Sequence, residues 1–123
     1  MQSQSLKFKT DLKGRSYKYA LAVITFIDKM PKDISTQIIA RQLLRSATSI
    51  GANIIEAQTS SSRKDFTNFF NHALKSANEN KYWLGLLKDS NKAGKDVIDP
   101  LLRETMEIAN MLGSSILTLK GKK

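Results

Sequence analysis

Two apolar ladders of helical period flank a polar break of four residues. Leu43, Ala47, Ile50, Ile54 and Ala57 recur at steps of four and three before Thr59-Ser60-Ser61-Ser62. Phe66, Phe70, Ala73, Ala77, Asn80, Leu84 and Leu87 do the same after it. These steps keep one face of each helix apolar. Two such helices joined by so short a turn fold back antiparallel and bury those faces together. The rest of the chain must complete that pair.

The first helix is predicted to start between Asp11 and Ser16 and to run to about Lys29, with Tyr17, Ala20, Leu21, Ile24 and Ile27 as its buried stripe. Pro31 ends it, because the residue before proline is pushed out of helical geometry. Asp33 or Ser35 caps the second helix by accepting from free backbone N–H groups. That helix runs to about Gln58, roughly 35 Å at ~1.5 Å per residue. Ser62-Arg63-Lys64-Asp65 approximates a capping box with Asp in place of Glu, and the third helix runs to about Asn91. The break at 91–95 offers Gly94 for a left-handed C-cap. Asp99-Pro100 reads as the start of the fourth helix, where the missing proline N–H costs nothing. Leu102, Thr105, Ala109, Leu112, Ile116 and Leu119 form its stripe, and it ends before Gly121. No useful stretch alternates with period two, so no sheet is expected. The expectation is all-α: one up-down-up-down antiparallel four-helix bundle over 1–123, with frayed basic termini at 1–10 and 120–123.

Charge is distributed unevenly. Net charge is +9, from 20 Lys and Arg against 11 acids. Residues 1–18 and 120–123 hold eight bases and one acid, or +7 of that total. An up-down-up-down order brings both termini to the 58–64 turn. Lys7, Lys9, Lys13, Arg15, Lys18, Arg63, Lys64, Lys120, Lys122 and Lys123 then form a basic pole, a candidate surface for phosphates or acidic partners. At the other end Lys32, Lys88, Lys92 and Lys95 are diluted by Asp33, Asp89, Asp96 and Asp99.

Other classes of function find no support. There is no cysteine, hence no disulfide or thiolate metal site. The first ten residues hold no apolar run of signal-peptide length. The longest mostly apolar run, Ala20 to Ile27, is far too short to span a membrane. A cytoplasmic protein is expected. No nucleophile elbow, P-loop or dinucleotide turn is present, so no catalytic residue, cofactor site or enzyme activity is assigned. A ferritin-like metal site would need Glu-x-x-His motifs, whereas the single histidine, His72, has no Glu three residues before it. Glu56 and Glu79 would also lie roughly 21 Å apart along the axis at ~1.5 Å per residue. His72 is expected to be a partly buried surface histidine.

Two features exceed what one core needs. The third helix carries a second seam of Phe69, His72, Ser76, Glu79, Trp83 and Leu86, and the second helix widens through Leu44, Gly51 and Ile55. This surplus either meets a second neighbour within the bundle or forms a subunit interface, in which Leu44, Gly51, Ile55, Phe69, Trp83 and Leu86 are the candidates. Polar residues also sit beside the core: Arg45, Asn53, Glu56, Ser76 and Glu79. They read as structural, with Arg45 and Glu79 within reach of an ion pair that fixes register.

The pattern Arg45-Ser-Ala-x-Ser49-Ile50-x-Ala52-Asn53-Ile54-x-Glu56, followed by Arg63-Lys64-Asp65-Phe66, Phe69-Phe70, Ala73-Leu74 and Ser76-x-x-Glu79, resembles the small bacterial four-helix proteins encoded within intervening sequences of 23S rRNA genes, often labelled as a ribosomal protein. The likeness runs from Pro31 into the fourth helix. Asn80 departs from it, standing where the family usually has leucine, and His72 where it has an aliphatic residue. The resemblance implies a left-handed bundle assembling as a homopentamer, with Arg45, Asn53, Glu56, Ser76 and Glu79 as structural signature positions. It also implies a link to RNA, since relatives include accessory proteins of diversity-generating retroelements, basic pentamers that bind a reverse transcriptase and nucleic acid. The leading expectation is a non-enzymatic, oligomeric RNA-associated protein. The alternative is an interaction scaffold or reverse-transcriptase accessory protein without direct RNA binding.

Overall fold

The computed structural model describes residues 4–121, with side chains from Leu12 onward. It holds four helices: α1 (Gln4–Asp28), α2 (Ile34–Gln58), α3 (Arg63–Asp89) and α4 (Lys95–Leu119). No strand occurs among the described residues. Each helix packs against two others: α2 against α1 and α3, α4 against α3 and α1. The most extensive contact joins α2 and α3, the pair with the clearest ladders, and the least extensive closes α1 on α4.

Local contacts fix which ends meet. A short connection joins the end of α1 to the start of α2, and a Cβ added at Gly51, in the second half of α2, would lie 3.6 Å from the Cβ of Ser16, at the middle of α1. Asn80 of α3 bonds the Leu43 carbonyl and Ser46 of α2, well away from the 59–62 turn. Arg63 at the start of α3 reaches the Leu119 carbonyl at the end of α4, while Lys88 near the end of α3 pairs with Asp99 near the start of α4.

The helix starts are chemically defined. Asp33 caps α2, accepting from the Thr36 N–H at 3.3 Å. Ser62 caps α3, accepting from the Asp65 N–H at 3.0 Å. Each satisfies one of the four N–H groups that a helix start leaves without a partner.

The break between α3 and α4 differs from expectation. Asn91, not Gly94, takes the left-handed conformation, with φ of 60°. The Lys92 N–H bonds the Leu87 carbonyl at 2.9 Å and the Asn91 N–H bonds that of Lys88 at 3.1 Å, the bond pair of a Schellman ending. Gly94 is extended and forms the N-cap of α4. The fourth helix therefore starts at Lys95, and Pro100 lies inside it. Starting earlier adds Ile98, which is fully buried. Burying such a side chain is worth about 1.5–3 kcal/mol, comparable with the ~3 kcal/mol that an interior proline costs. The α4 stripe thus includes Ile98, Leu101 and Ile108 beside Thr105, Ala109, Leu112 and Ile116, whereas Leu102 is half-buried.

The first helix also departs from its expected boundary and face. It starts at Gln4, before Asp11. Its buried residues among those with described side chains are Leu12, Ser16, Tyr19, Val23 and Phe26, and Met30 just past its end is buried with them. Tyr17, Leu21 and Ile24 remain 67%, 49% and 42% exposed. Both stripes have helical spacing, so apolarity alone cannot choose between them. The polar atoms decide. Ser16 donates to its own Leu12 carbonyl at 2.8 Å, and the Tyr19 hydroxyl is satisfied by other helices. A stripe carrying two hydroxyls is buried because both have partners.

Candidate functional site

At one end, bases gather where the start of α3 meets the end of α4. The Arg63 Nε donates to the Leu119 carbonyl at 3.1 Å, satisfying one of the orphan carbonyls of the α4 terminus. That contact draws Lys64 and Lys120, both exposed, to the same end. Lys13 and Lys18 are exposed on α1. Arg15 differs from the expectation of an open phosphate contact. Its Nε and Nη2 hold both carboxylate oxygens of Glu104, at 2.9 and 2.7 Å. The side chains of Lys7, Lys9, Lys122 and Lys123 lie outside the described residues.

The opposite end is electrically balanced by direct pairing. Lys92 bonds Asp33 at 3.1 Å and Lys88 bonds Asp99 at 2.7 Å. The cap bond from Thr36, with Lys92 and Ser35 beside it, holds the Asp33 carboxyl well below the usual carboxylate range. Lys88 lowers that of Asp99 in the same way.

A polar groove lies between α2 and α3. Ser49 and Asn53 line it from α2, and His72, Lys75, Ser76 and Glu79 from α3. Its open volume is about 470 Å³. The sequence accounts for the opening. Along the seam of α3 that faces α2, residues seven apart read Phe69, Ser76, Trp83. The two aromatics pack against the core, and the serine between them leaves a notch. The Asn53 amide donates to the Ser49 carbonyl at 2.8 Å, which turns its oxygen toward other donors.

The expected polar signature divides here. Asn53, Ser76 and Glu79 share the groove, while Arg45 and Glu56 are exposed and do not line it. The anticipated Arg45–Glu79 ion pair is not formed: the ion pairs among the described residues are Arg15–Glu104, Lys88–Asp99 and Lys92–Asp33. Asn80, rather than Glu79, occupies the position facing Leu43 and Ser46, and Glu79 is left on the exposed side. His72 is exposed rather than partly buried. Sequence reading missed Ser49, His72 and Lys75 as groove residues. The signal available was the bulky-small-bulky step along the Phe69 seam.

The candidate interface residues are also dispersed. Gly51 faces Ser16 within the chain. Leu44, Phe69 and Trp83 pack partly against the core. Ile55 and Leu86 are exposed, near opposite ends of the bundle. The structure also exposes Tyr17, Leu21 and Ile24 of α1, part of the stripe expected to be inside. Among the described residues, no three His, Asp or Glu side chains converge as a metal site would require, and no helix is long and apolar enough to cross a membrane.

Fold and site together define an all-α four-helix bundle with a polar groove between α2 and α3 and a cluster of bases at one end. The chain belongs to the 23S rRNA-intervening sequence protein family, whose model matches residues 9–114. Among solved structures it is similar to a protein of unknown function from the S23 ribosomal protein family of Bacteroides thetaiotaomicron. The two are 35% identical, with a TM-score of 0.83, over 89% of this chain and 97% of that one. No curated protein matches the chain.

Proposed function

We propose that the chain is a non-enzymatic RNA-associated protein of the cytoplasm, working as a homo-oligomer whose basic end contacts phosphates. One observation carries the reading. Of the +9 net charge, +7 sits in residues 1–18 and 120–123, and the Arg63–Leu119 contact brings the end of α4 to the start of α3, where Lys64 lies. Lysine and arginine contacts to phosphate give affinity without base readout. Family membership, with its name drawn from 23S rRNA, supports the same direction. The exposed Tyr17, Leu21, Ile24 and Ile55, beside half-buried Leu44, favour self-association. A homopentamer, the assembly that the family resemblance implies, would carry +45 and ring its basic end. An RNA titration at increasing salt tests the reading: affinity falls linearly on a log–log plot with a slope set by the number of phosphates neutralised. Absence of binding at low salt, or a flat slope, refutes it. Mass measurement in solution tests the oligomer.

The same exposed apolar residues favour a second reading, a scaffold for a protein partner such as a reverse transcriptase, without direct RNA binding. Charge reversal at Lys13, Lys64 and Lys120 separates the two. It abolishes RNA binding in the first and leaves partner binding intact in the second.

A further inference from the structure

The groove between α2 and α3 is not needed to hold the bundle together. Ser16, Ser46, Thr48, Thr67, Ser90 and Thr118 each donate to a carbonyl three or four residues earlier, the usual resting place of a helical hydroxyl. Neither Ser49 nor Ser76 takes that bond, and both line the groove. Glu79 and Lys75 take no part in the ion pairs among the described residues. The groove therefore holds two hydroxyls, an amide oxygen, a carboxylate, an ammonium and an imidazole without structural employment.

Their order along α3 describes a ligand. His72 and Lys75 supply donors suited to an anion. Glu79, seven residues past His72 and about 10 Å along the axis at ~1.5 Å per residue, supplies an acceptor suited to a hydroxyl. A phosphate followed by a sugar bearing free hydroxyls matches that sequence. The volume of about 470 Å³ falls within the range of about 300–1,000 Å³ usual for small-ligand sites. The outer face of α3 also connects the groove to the basic end. Lys64, Asn68, His72 and Lys75 follow one another at steps of four and three, and all four are exposed.

We propose that this groove binds a ribose-phosphate unit of single-stranded RNA, with the phosphate on His72 and Lys75 and the 2′-hydroxyl on Glu79. The inference rests on the RNA-associated reading and assigns it a second contact, one that discriminates RNA from DNA. Basic ends bind both polymers through phosphate alone, whereas a carboxylate accepting from the 2′-hydroxyl has no partner in DNA.

The test uses the full chain with a labelled oligouridylate and the oligodeoxyuridylate of the same length. Anisotropy gives affinity, and the ring protons of His72, the only histidine in the sequence, report on the groove by NMR. Wild type is expected to prefer RNA, with the His72 signals shifting on RNA addition. Glu79→Ala, at an exposed position, is expected to lose about tenfold in RNA affinity, as for a hydrogen bond to a charged group, while DNA affinity holds. Ser76→Leu fills the notch and is expected to act likewise; a circular dichroism melt checks its fold, and Glu79→Ala decides the matter if it unfolds. RNA binding that leaves His72 unmoved, or a Glu79→Ala protein with wild-type RNA preference, overturns the groove assignment and leaves the basic end as the contact. Binding of neither polymer by wild type overturns both readings.

Discussion

The Tyr19 hydroxyl of α1 donates to the Oδ1 of Asn80 on α3, although these two helices do not pack against each other. The bond crosses the bundle interior on its diagonal. The amide of Asn80 donates onward to the Leu43 carbonyl at 3.0 Å and to Ser46 Oγ at 2.6 Å on α2. Thr105 of α4 donates to the Tyr19 oxygen at 2.6 Å. One polar layer thus joins all four helices, and all its members are buried. Burial pushes the Tyr19 phenol well above its usual value, so it remains a neutral donor. Asn80, which departs from the leucine that the family resemblance leads one to expect, is therefore a fully partnered core residue. A polar group at one core position penalises shifted registers, in which it would be buried without partners.

Replacing Asn80 by Leu leaves the Tyr19 hydroxyl without its acceptor and takes the amide donor away from Ser46 Oγ and from the Leu43 carbonyl, which keeps only Ser46 as a side-chain donor. The expected cost is about 2–4 kcal/mol, at one to two unsatisfied groups. Adding Tyr19→Phe removes the stranded hydroxyl, so the double variant is expected to be more stable than the sum of the two single losses. Thermal or urea unfolding of the four proteins of this cycle measures the coupling. Strict additivity would show that the two side chains act independently.

The carboxylate of Asp33 links the α2 cap to the end of the α3–α4 break through Lys92. Its folded value is depressed, first by the Thr36 bond and then by Lys92. A depressed carboxylate contributes stability that is fully present above its unfolded value of 3.8 and is lost as pH falls toward its folded one. Asp33→Asn is therefore expected to melt below wild type at neutral pH. The gap should narrow as pH drops below about 4. Paired melts across that range check the sign. A gap that widens in acid would contradict it.

How far the chain could be read beforehand depends on how each element is specified. α2 and α3 were legible because an unbroken apolar ladder runs along each, Leu43 to Ala57 and Phe66 to Leu87, and the four-residue polar turn between them admits one arrangement. α1 was not, since its two ladders are equally apolar and the choice rests on hydroxyl partners contributed by α3 and α4. The α4 boundary failed for a similar reason. Pro100 is a strong local signal, and only the tertiary burial of Ile98 overrides it. Asn91 was overlooked because glycine is the commoner left-handed residue, yet the bond pair closing α3 falls three residues before Gly94. The groove was partly visible, as Ser76 and Glu79 were singled out, but as structural positions. Its emptiness follows from side-chain sizes on two helices in a register that sequence alone left one turn too loose.

Asn91 tests the reading of that break. At φ of 60° a residue with a Cβ is held in a region few side chains tolerate. Asn91→Gly is expected to hold or raise stability by a few tenths of a kcal/mol. Asn91→Val, β-branched, should lose about 1–2 kcal/mol. Gly94, which is extended, should not show that preference for glycine: Gly94→Asn costs little beyond rearranging the Asp96 side chain, 2.7 Å from the added Cβ. Chemical denaturation of these variants ranks the two positions.

Arg15 and Glu104 close the thinnest seam, between α1 and α4. The guanidinium fork matches the carboxylate with two bonds, and its Nη1 lies 3.4 Å from the Met111 sulfur. Side-chain exposures of 37% and 33% mean that water screens the pair, so its coupling is expected near the exposed-pair value of about 0.5–1 kcal/mol. Arg15→Lys should lose most of that, since an ammonium cannot reproduce the fork. A cycle of Arg15→Gln and Glu104→Gln measures it, and the coupling should shrink at high salt. Hydrogen exchange should quicken along α1 before the other helices, because the weakest seam opens first. The pairing also bears on nucleic acid. Glu104 already neutralises Arg15, so Arg15→Gln should weaken RNA binding less than Lys64→Gln at the exposed basic end. An Arg15→Gln protein with the larger loss would mean that RNA displaces Glu104 and that this seam, rather than the α3–α4 end, forms the phosphate contact.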